Sequence, residues 1–281
     1  MWSDLHSDAA RRVARSRTFD EIAELYDRAR RPPPEELFED LFSIVALEPA
    51  RTNVLEIGCG TGQATLPLAR RGCRVVCVEM GPNLAQVARR NLAQFPRVEI
   101  VNARFEDWNP GGARFDLVFA ANSWHWLDPE SRYSKTAELL RPAGLLAFTV
   151  SRHAFPPGFD PFFADIQDCY EAIGVGRLSW PPPAPEDLPD ARSEIEQSGH
   201  FEVVKVARYL RVEEFNADQH VALMSTASDH RLLEPAKRER LFADMRRLID
   251  TRPGGRIRKH ELTILHVARR RPGGIEEASC R

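Results

Sequence analysis

The chain has 281 residues, 43% apolar and 28% charged, enough to bury the core of one large domain or one and a half. Its formal net charge of −2 argues against a protein whose main partner is a nucleic-acid backbone, which demands a strongly basic surface. No run of about 18 apolar residues points to a membrane span. The charged, Ala-rich stretch Met1 to Arg17 lacks the apolar centre of a signal peptide, so the expected location is the cytoplasm.

Five cysteines, Cys59, Cys73, Cys77, Cys169 and Cys280, are an odd number without paired close spacings, so neither a disulfide framework nor a metal site is expected. Cys73 and Cys77 lie in the apolar run Cys73-Arg74-Val75-Val76-Cys77-Val78, where a small thiol serves as a core residue.

In chain order, apolar residues at Phe19, Ile22, Ala23 and Tyr26 predict an amphipathic helix over Phe19 to Arg30, ended by Pro32-Pro33-Pro34. A second helix follows, from about Pro34 to Leu47. Between Thr52 and Val150 short β-branched runs alternate with helical patterns, the signature of βαβ units. The predicted strands are Thr52 to Ile57, Arg74 to Glu79, Val98 to Val101, Asp116 to Ala121 and Leu145 to Val150. They are continuous apolar runs, as strands covered on both faces should be. Helices are predicted at Gln63 to Arg71, Pro82 to Gln94 and Pro129 to Leu140. Breakers at Gly72, Gly81-Pro82, Asn109-Pro110-Gly111-Gly112 and Arg141-Pro142-Ala143-Gly144 separate the elements.

After Val150 the sequence turns Pro-rich and aromatic, which reads as a cap inserted over the carboxyl edge of the sheet. Two late runs, Phe201 to Leu210 and Glu261 to Ala268, read as an antiparallel pair closing the sheet, with helices at Ala217 to Thr226 and Pro235 to Asp250 between them. The fold class expected is therefore α/β: a doubly wound, mostly parallel, seven-stranded sheet with an inserted helical cap.

The first strand runs into Ile57-Gly58-Cys59-Gly60-Thr61-Gly62, a glycine turn at the carboxyl end of a strand and before a helix, where open α/β sheets bind ligands. Glycine is needed where the backbone takes strained angles and a ligand approaches without a Cβ in the way. A dinucleotide site wants G-x-G-x-x-G, but position 63 is Gln63, and the third glycine comes one residue early at Gly62. The G-x-G-x-G form suits a nucleoside bearing an amino acid. About 20 residues on, Glu79 ends the second strand, where a carboxylate can accept hydrogen bonds from both ribose hydroxyls. Met80 then lies on the adenine face.

These residues resemble motif I and the following acidic position of class I S-adenosyl-L-methionine (SAM) dependent methyltransferases, over about Phe19 to Val150. Phe115-Asp116-Leu117-Val118-Phe119-Ala120-Ala121-Asn122-Ser123-Trp124-His125-Trp126 resembles the fourth-strand motif, especially in the trans-aconitate methyltransferase-like branch. The resemblance implies a Rossmann-like methyltransferase fold with SAM as cofactor. It implies that Gly58, Gly60 and Gly62 surround the methionine moiety and that Glu56 orients its amino group. Ala120 and Ala121 would lie beside the methyl donor, and the segment holding Arg104, Phe105 and Glu106 would hold the adenine edge. Arg104 stands where an Asp is common, which shifts that contact to the Phe105 backbone amide. Tyr26 and Arg30 resemble the branch's N-terminal helix, which closes over the methionine carboxylate, and an arginine fork suits a carboxylate.

The division implied is N-terminal helices contributing to the cofactor lid over 1–50, the SAM-binding core over 51–150, cap and substrate regions over 151–200 and 211–255, closing strands over 201–210 and 256–270, and a tail over 271–281. Three side chains are candidates for acceptor chemistry. His125 follows the fourth strand and reads either as a base or as a ring packed between Trp124 and Trp126. His153 sits just past the fifth strand, and Glu171 lies in the aromatic cap with Asp168. Trp124, Trp180, His230 and Arg231 are candidates for acceptor contacts. Phe155, Phe159, Phe162, Phe163 and Tyr170 form either an apolar lid or core. Arg231 to Arg271 holds thirteen Lys and Arg against five Asp and Glu, favouring an anionic acceptor if those charges face the pocket rather than solvent.

The leading expectation is a methyltransferase acting by O-methylation on a small anionic or aromatic metabolite, without nucleic-acid or membrane partner, as a monomer or homodimer. The alternatives are C-methylation of an apolar or prenyl-diphosphate-like acceptor, with Glu171 as proton acceptor, and a non-catalytic SAM-binding interaction protein.

Overall fold

A computed structural model describes residues 9–45, 47–176 and 182–272. Seven strands form one sheet: β1 Asn53–Ile57, β2 Arg74–Glu79, β3 Val98–Asn102, β4 Phe115–Ala121, β5 Leu140–Ala154, β6 Phe201–Asn216 and β7 Arg256–Arg270. Their order is β3-β2-β1-β4-β5-β7-β6. The first five pair in parallel, and β7 runs antiparallel to both β5 and β6. This is the doubly wound α/β arrangement read from the sequence. The crevice where β1 and β4 diverge to opposite sides lies at the carboxyl ends of the parallel strands, the place such sheets bind ligands.

The helices are α1 Ala9–Asp20, α2 Ala23–Ala29, α3 Glu35–Val45, α4 Thr65–Arg70, α5 Pro82–Asn91, α6 Arg132–Leu139, α7 Phe162–Ala172, α8 Arg192–Gln197, α9 Ala217–Ser225, α10 Ser228–Arg231 and α11 Pro235–Asp250. One face of the sheet packs Val54, Val75, Cys77 and Phe119 against Phe38 and Leu41 of α3 and Leu68 of α4. The other face packs Leu55, Ile57 and Val118 against Tyr133 and Ala137 of α6. Both faces are thus covered, which is why these strands read as unbroken apolar runs. Cys59, Cys73 and Cys77 are buried free thiols, and Cys169 is half-buried.

Several element boundaries differ from the sequence expectation. The single helix expected over Phe19 to Arg30 is two, α1 and α2, broken at Glu21 and Ile22. Asp20 instead turns to the start of α5, where its carboxylate accepts the backbone N–H groups of Asn83 and Leu84 at 2.8 and 2.9 Å. That satisfies two donors a helix N-terminus leaves open. The breaker Arg141 to Gly144 does not precede β5 but loops out within it. Phe115 pairs Leu140, the register then jumps to Leu117 opposite Leu145, and Ala143 takes a φ of 58°.

The largest difference is at the far end of the sheet. Strands β6 and β7 continue well beyond their apolar runs, to Asn216 and back to Arg256, with Arg211 opposite Glu261, Glu213 opposite Lys259 and Phe215 opposite Ile257. The cap supports this overhang: Phe215 and Ile257 are buried with Phe162 and Phe163 of α7, Val221 of α9 and Leu241 and Met245 of α11. Asn216 ends β6 and caps α9 in a capping box with Gln219, fixing the exit of the strand.

Candidate cofactor and acceptor cleft

The glycine loop after β1 is shaped by three different constraints. Gly58, with φ +67°, has no room for a side chain, since a Cβ there would stand 2.7 Å from the Ser123 Cβ. Ser123 presses so close because its hydroxyl donates to the Ile57 carbonyl. Gly62, with φ +87°, meets α5, where a Cβ would stand 2.7 Å from Leu92 Cδ1. Gly60, with φ +57°, opens toward the Tyr26 ring, 3.8 Å from where a Cβ would be.

Glu79 ties the loop to the next strand. Its buried carboxylate accepts the Gly60 N–H at 2.9 Å through one oxygen and the Gly81 N–H at 2.8 Å through the other. Burial pushes this carboxyl above its ordinary range, and those two hydrogen bonds pull against the shift by favouring the charged form.

Around the loop lies a cleft of about 400 Å³. Its roof is the N-terminal segment, in which Phe19 meets Tyr26 edge-on at 5.8 Å and Trp126 at 5.7 Å. Gln63, in the turn before α4, holds this roof by donating to the carbonyls of Asp27 at 3.0 Å and Arg30 at 3.1 Å. At the floor β4 is followed by Asn122, whose φ of 55° is a left-handed turn that Asn tolerates. Asn122 accepts the Ser151 N–H at 2.6 Å and donates to its hydroxyl at 3.1 Å, locking the ends of β4 and β5 together.

Of the residues expected from the sequence, the cleft wall includes Tyr26, Arg30, Gly58, Gly60, Glu79, Met80, Arg104, Phe105, Glu106, Ala121 and His125. Arg104 is turned to Glu106 and Asp107, each at 3.7 Å, and Glu106 also accepts the Asp128 N–H at 3.1 Å. Arg30 differs in its partner. It stacks 5.5 Å from the Tyr26 centroid and donates to Thr226 Oγ1 at 2.7 Å.

Other expected residues stand elsewhere. Glu56 points into the core, fully buried beside Cys77, which donates to it at 3.9 Å, because its position on β1 faces α4 with Val54. Burial raises its carboxyl to about 7. Ala120 is sealed within the sheet, and Gly62 serves the contact with α5. Trp124 is corrected from an acceptor contact to a core residue, stacked on Phe148 at 5.1 Å with Arg132 over its ring. His153 packs between Phe155 and Phe163, at 4.1 and 4.2 Å, where burial pushes its pKa down to about 2.

His230 is hydrogen-bonded to the Tyr170 hydroxyl at 2.8 Å inside the cap, while Arg231 pairs with Glu21. Their neighbours Ala227, Ser228 and Asp229 reach the cleft instead. Glu171, on α7, is not among the cleft residues, and the cap aromatics Phe162 and Phe163 are core. Trp180 lies outside the described residues.

The sequence reading missed a charged wall formed by the overhang of β6 and β7. Arg31 lies 3.3 Å from Glu213, Arg211 lies 2.8 Å from Glu213 and 3.4 Å from Glu261, and Lys259 lies 3.6 Å from Glu261. All five side chains line the cleft. The signal available was the polar alternation Arg211-Val212-Glu213, continuing the strand one face at a time. Of the thirteen cations counted over 231–271, Lys259 is the one that lines the cleft among the described residues. No group of residues suited to a metal ion is found among the described residues.

A glycine turn after β1, an acid ending β2, a ligand crevice beside β4 and an antiparallel final strand in a seven-stranded sheet define the class I methyltransferase fold. Residues 54–144 match the family model described as a methyltransferase domain. Over 131 residues the chain is 33% identical to an uncharacterized methyltransferase of Mycobacterium tuberculosis strain H37Rv, covering 47% of this chain and 51% of that protein. It is 34% identical over 110 residues to a trans-aconitate 2-methyltransferase of Deinococcus radiodurans, covering 37% of this chain and 41% of that one. The chain thus spans about half the length of the curated relatives it matches, or less. A provisionally assigned type II methyltransferase from Anaeromyxobacter dehalogenans superposes with a TM-score of 0.58 at 23% identity, covering 85% of this chain and 97% of that one, which shows the shared fold.

Residues 54–144 are thus similar to a methyltransferase domain, for which SAM is the expected cofactor. The residues present fit that cofactor. Gly60 leaves open the space a Cβ would fill, and the buried Thr61 hydroxyl on the cleft wall has no hydrogen-bond partner among the described residues. Each Glu79 oxygen can accept a second hydrogen bond beyond the backbone N–H it holds.

Proposed function

We propose that the protein transfers the methyl group of SAM to an oxygen of a small anionic metabolite. When bound, SAM would supply an electrophilic methyl carbon for the acceptor oxygen, with its sulfur as the leaving group that keeps the electron pair. The protein's part is to position and desolvate the acceptor, which can carry much of such a reaction. Gly58, Gly60, Thr61 and Glu79 would hold the cofactor, with Met80, Phe105 and Ala121 along its length. The observation that carries the reading is the continuity of the cleft from this loop to the cation-rich wall of Arg211 and Lys259.

A carboxylate acceptor is already ionised at neutral pH and needs no base. For a hydroxyl acceptor His125, on the cleft wall at the end of β4, is the candidate base. One relative is named for trans-aconitate, a polycarboxylate, which agrees with an anionic acceptor. C-methylation through an aromatic lid draws no support, since Phe162 and Phe163 are buried in the cap and Glu171 is not on the cleft wall.

Isothermal titration with S-adenosylhomocysteine tests the cofactor half, and absence of heat defeats it. Gly60→Arg, which fills the loop, should abolish the heat. Incubation with methyl-labelled SAM and fractionated metabolite extracts tests the acceptor half. Label recovered on carbon alone, or on uncharged compounds alone, defeats it.

A further inference from the structure

The wall opposite the glycine loop contains a charge imbalance. Arg31, Arg211 and Lys259 share two carboxylates, Glu213 and Glu261, in one continuous string of ion pairs. Arg31 stands at the mouth with its side chain 54% exposed, where water screens it. Lys259 lies at the other end and is only 8% exposed. Its partner Glu261 is 3.6 Å away and is shared with Arg211.

An incompletely paired charge this deep is costly unless a counter-charge reaches it. Burial depresses the Lys259 ammonium, and nearby Arg30 repels it further, while Glu261 and Glu213 only partly compensate. Arg211 is fixed beside it, since it sits opposite Glu261 across the sheet and donates to the Pro32 carbonyl at 3.1 Å. Two cations on adjacent strands, both facing the cleft, thus await one more negative group.

We propose that Lys259 and Arg211 form the anion-binding site of the acceptor, and that the acceptor is a carboxylic acid whose carboxylate enters this network as its third negative group. One carboxylate brings the string to three negative groups against its three cations. Glu261 and Glu213 then set specificity by competing for the same cations. This inference rests on the methyltransferase reading above, and the experiment separates the two.

The protein is first saturated with S-adenosylhomocysteine and then titrated calorimetrically with benzoate, malonate and trans-aconitate, alongside their amides. At least one carboxylate should bind, with its amide about tenfold weaker or more, as loss of a charged contact implies. Lys259→Met should weaken that carboxylate about tenfold or more and leave S-adenosylhomocysteine affinity unchanged. Glu261→Gln should act in the opposite sense, tightening it several-fold. The Glu261 variant keeps the test decisive if Lys259→Met fails to fold by thermal melt. Binding of S-adenosylhomocysteine without any carboxylate, equal affinity for acid and amide, or weaker binding in Glu261→Gln overturns the proposal. Failure of S-adenosylhomocysteine itself to bind overturns the cofactor reading instead.

Discussion

Arg30 on the N-terminal segment donates a hydrogen bond to Thr226 Oγ1, at the end of α9, across 2.7 Å and 196 residues of sequence. The roof of the cleft is therefore latched to the cap. Thr226 is fully buried and its hydroxyl also donates to the Leu223 carbonyl, so its geometry is fixed before Arg30 arrives. Thr226→Val keeps the shape but removes the acceptor, at a cost of about 1–3 kcal/mol. Amide exchange over residues 15–31 should quicken by about tenfold or more while the strands keep their protection. Unchanged exchange in that segment would show that the bond does not hold the roof.

The contact of Gly58 with Ser123 gives a second expectation. Ala at position 58 would place its Cβ against Ser123 and would hold a left-handed φ, which alone costs about 1–2 kcal/mol. Gly58→Ala should lower the melting temperature and weaken S-adenosylhomocysteine binding. Adding Ser123→Gly removes the clash but not the backbone strain, so partial recovery is expected. Full recovery in the double variant, measured by thermal melt, would rule out the strain component.

Glu56 carries a cost that depends on pH. Its carboxyl is raised from an ordinary 4.5 to about 7 by burial, so the folded chain holds the proton that the unfolded chain releases first. Below pH 4.5 both states are protonated and there is no penalty; between 4.5 and 7 the penalty grows, toward about 3 kcal/mol. Glu56→Gln should match the wild type near pH 4.5 and exceed it at pH 8. Urea midpoints at the two pH values check this, and equal differences at both would exclude the ionisation as the cause.

His220 acts in the opposite direction. It is buried on α9 against Phe162 at 5.3 Å and against Phe163 and Phe215 at 6.1 Å, and burial, aided by Lys259 and His230, depresses its pKa from 6.5 to about 3. The folded ring stays neutral, so the stability it supports is complete above pH 6.5 and is lost as the pH falls toward 3. His220→Phe should flatten the fall in stability between pH 6.5 and 4.5 by about one proton, or about 1.4 kcal/mol per pH unit. An unchanged slope in urea titrations would mean that other groups bind the proton.

The sheet and the glycine loop were legible because their signals are local. The parallel strands each contain a short, mainly apolar run, and Gly58, Gly60 and Glu79 fall within one strand–loop–helix–strand unit. Trp124 misled because its neighbours in sequence, Ala121 and His125, do face the cleft while its own ring turns to Phe148. His153 and Glu171 misled for a similar reason: position after a strand or in a cap does not say which way a side chain points.

Local order in the sequence by itself determined the α/β class and placed the glycine loop at the carboxyl edge of the sheet, since turns and strand ends need only near neighbours. Only the tertiary structure decided what stands across from that loop. Arg211 and Glu261 are 50 residues apart in sequence and become neighbours solely through the antiparallel pairing of β6 and β7. The cap core around Phe215 and Ile257 extends that pairing past the point where the apolar pattern stops. Burial then sets Lys259 apart from an ordinary surface lysine, because its ammonium is held where water is excluded around it.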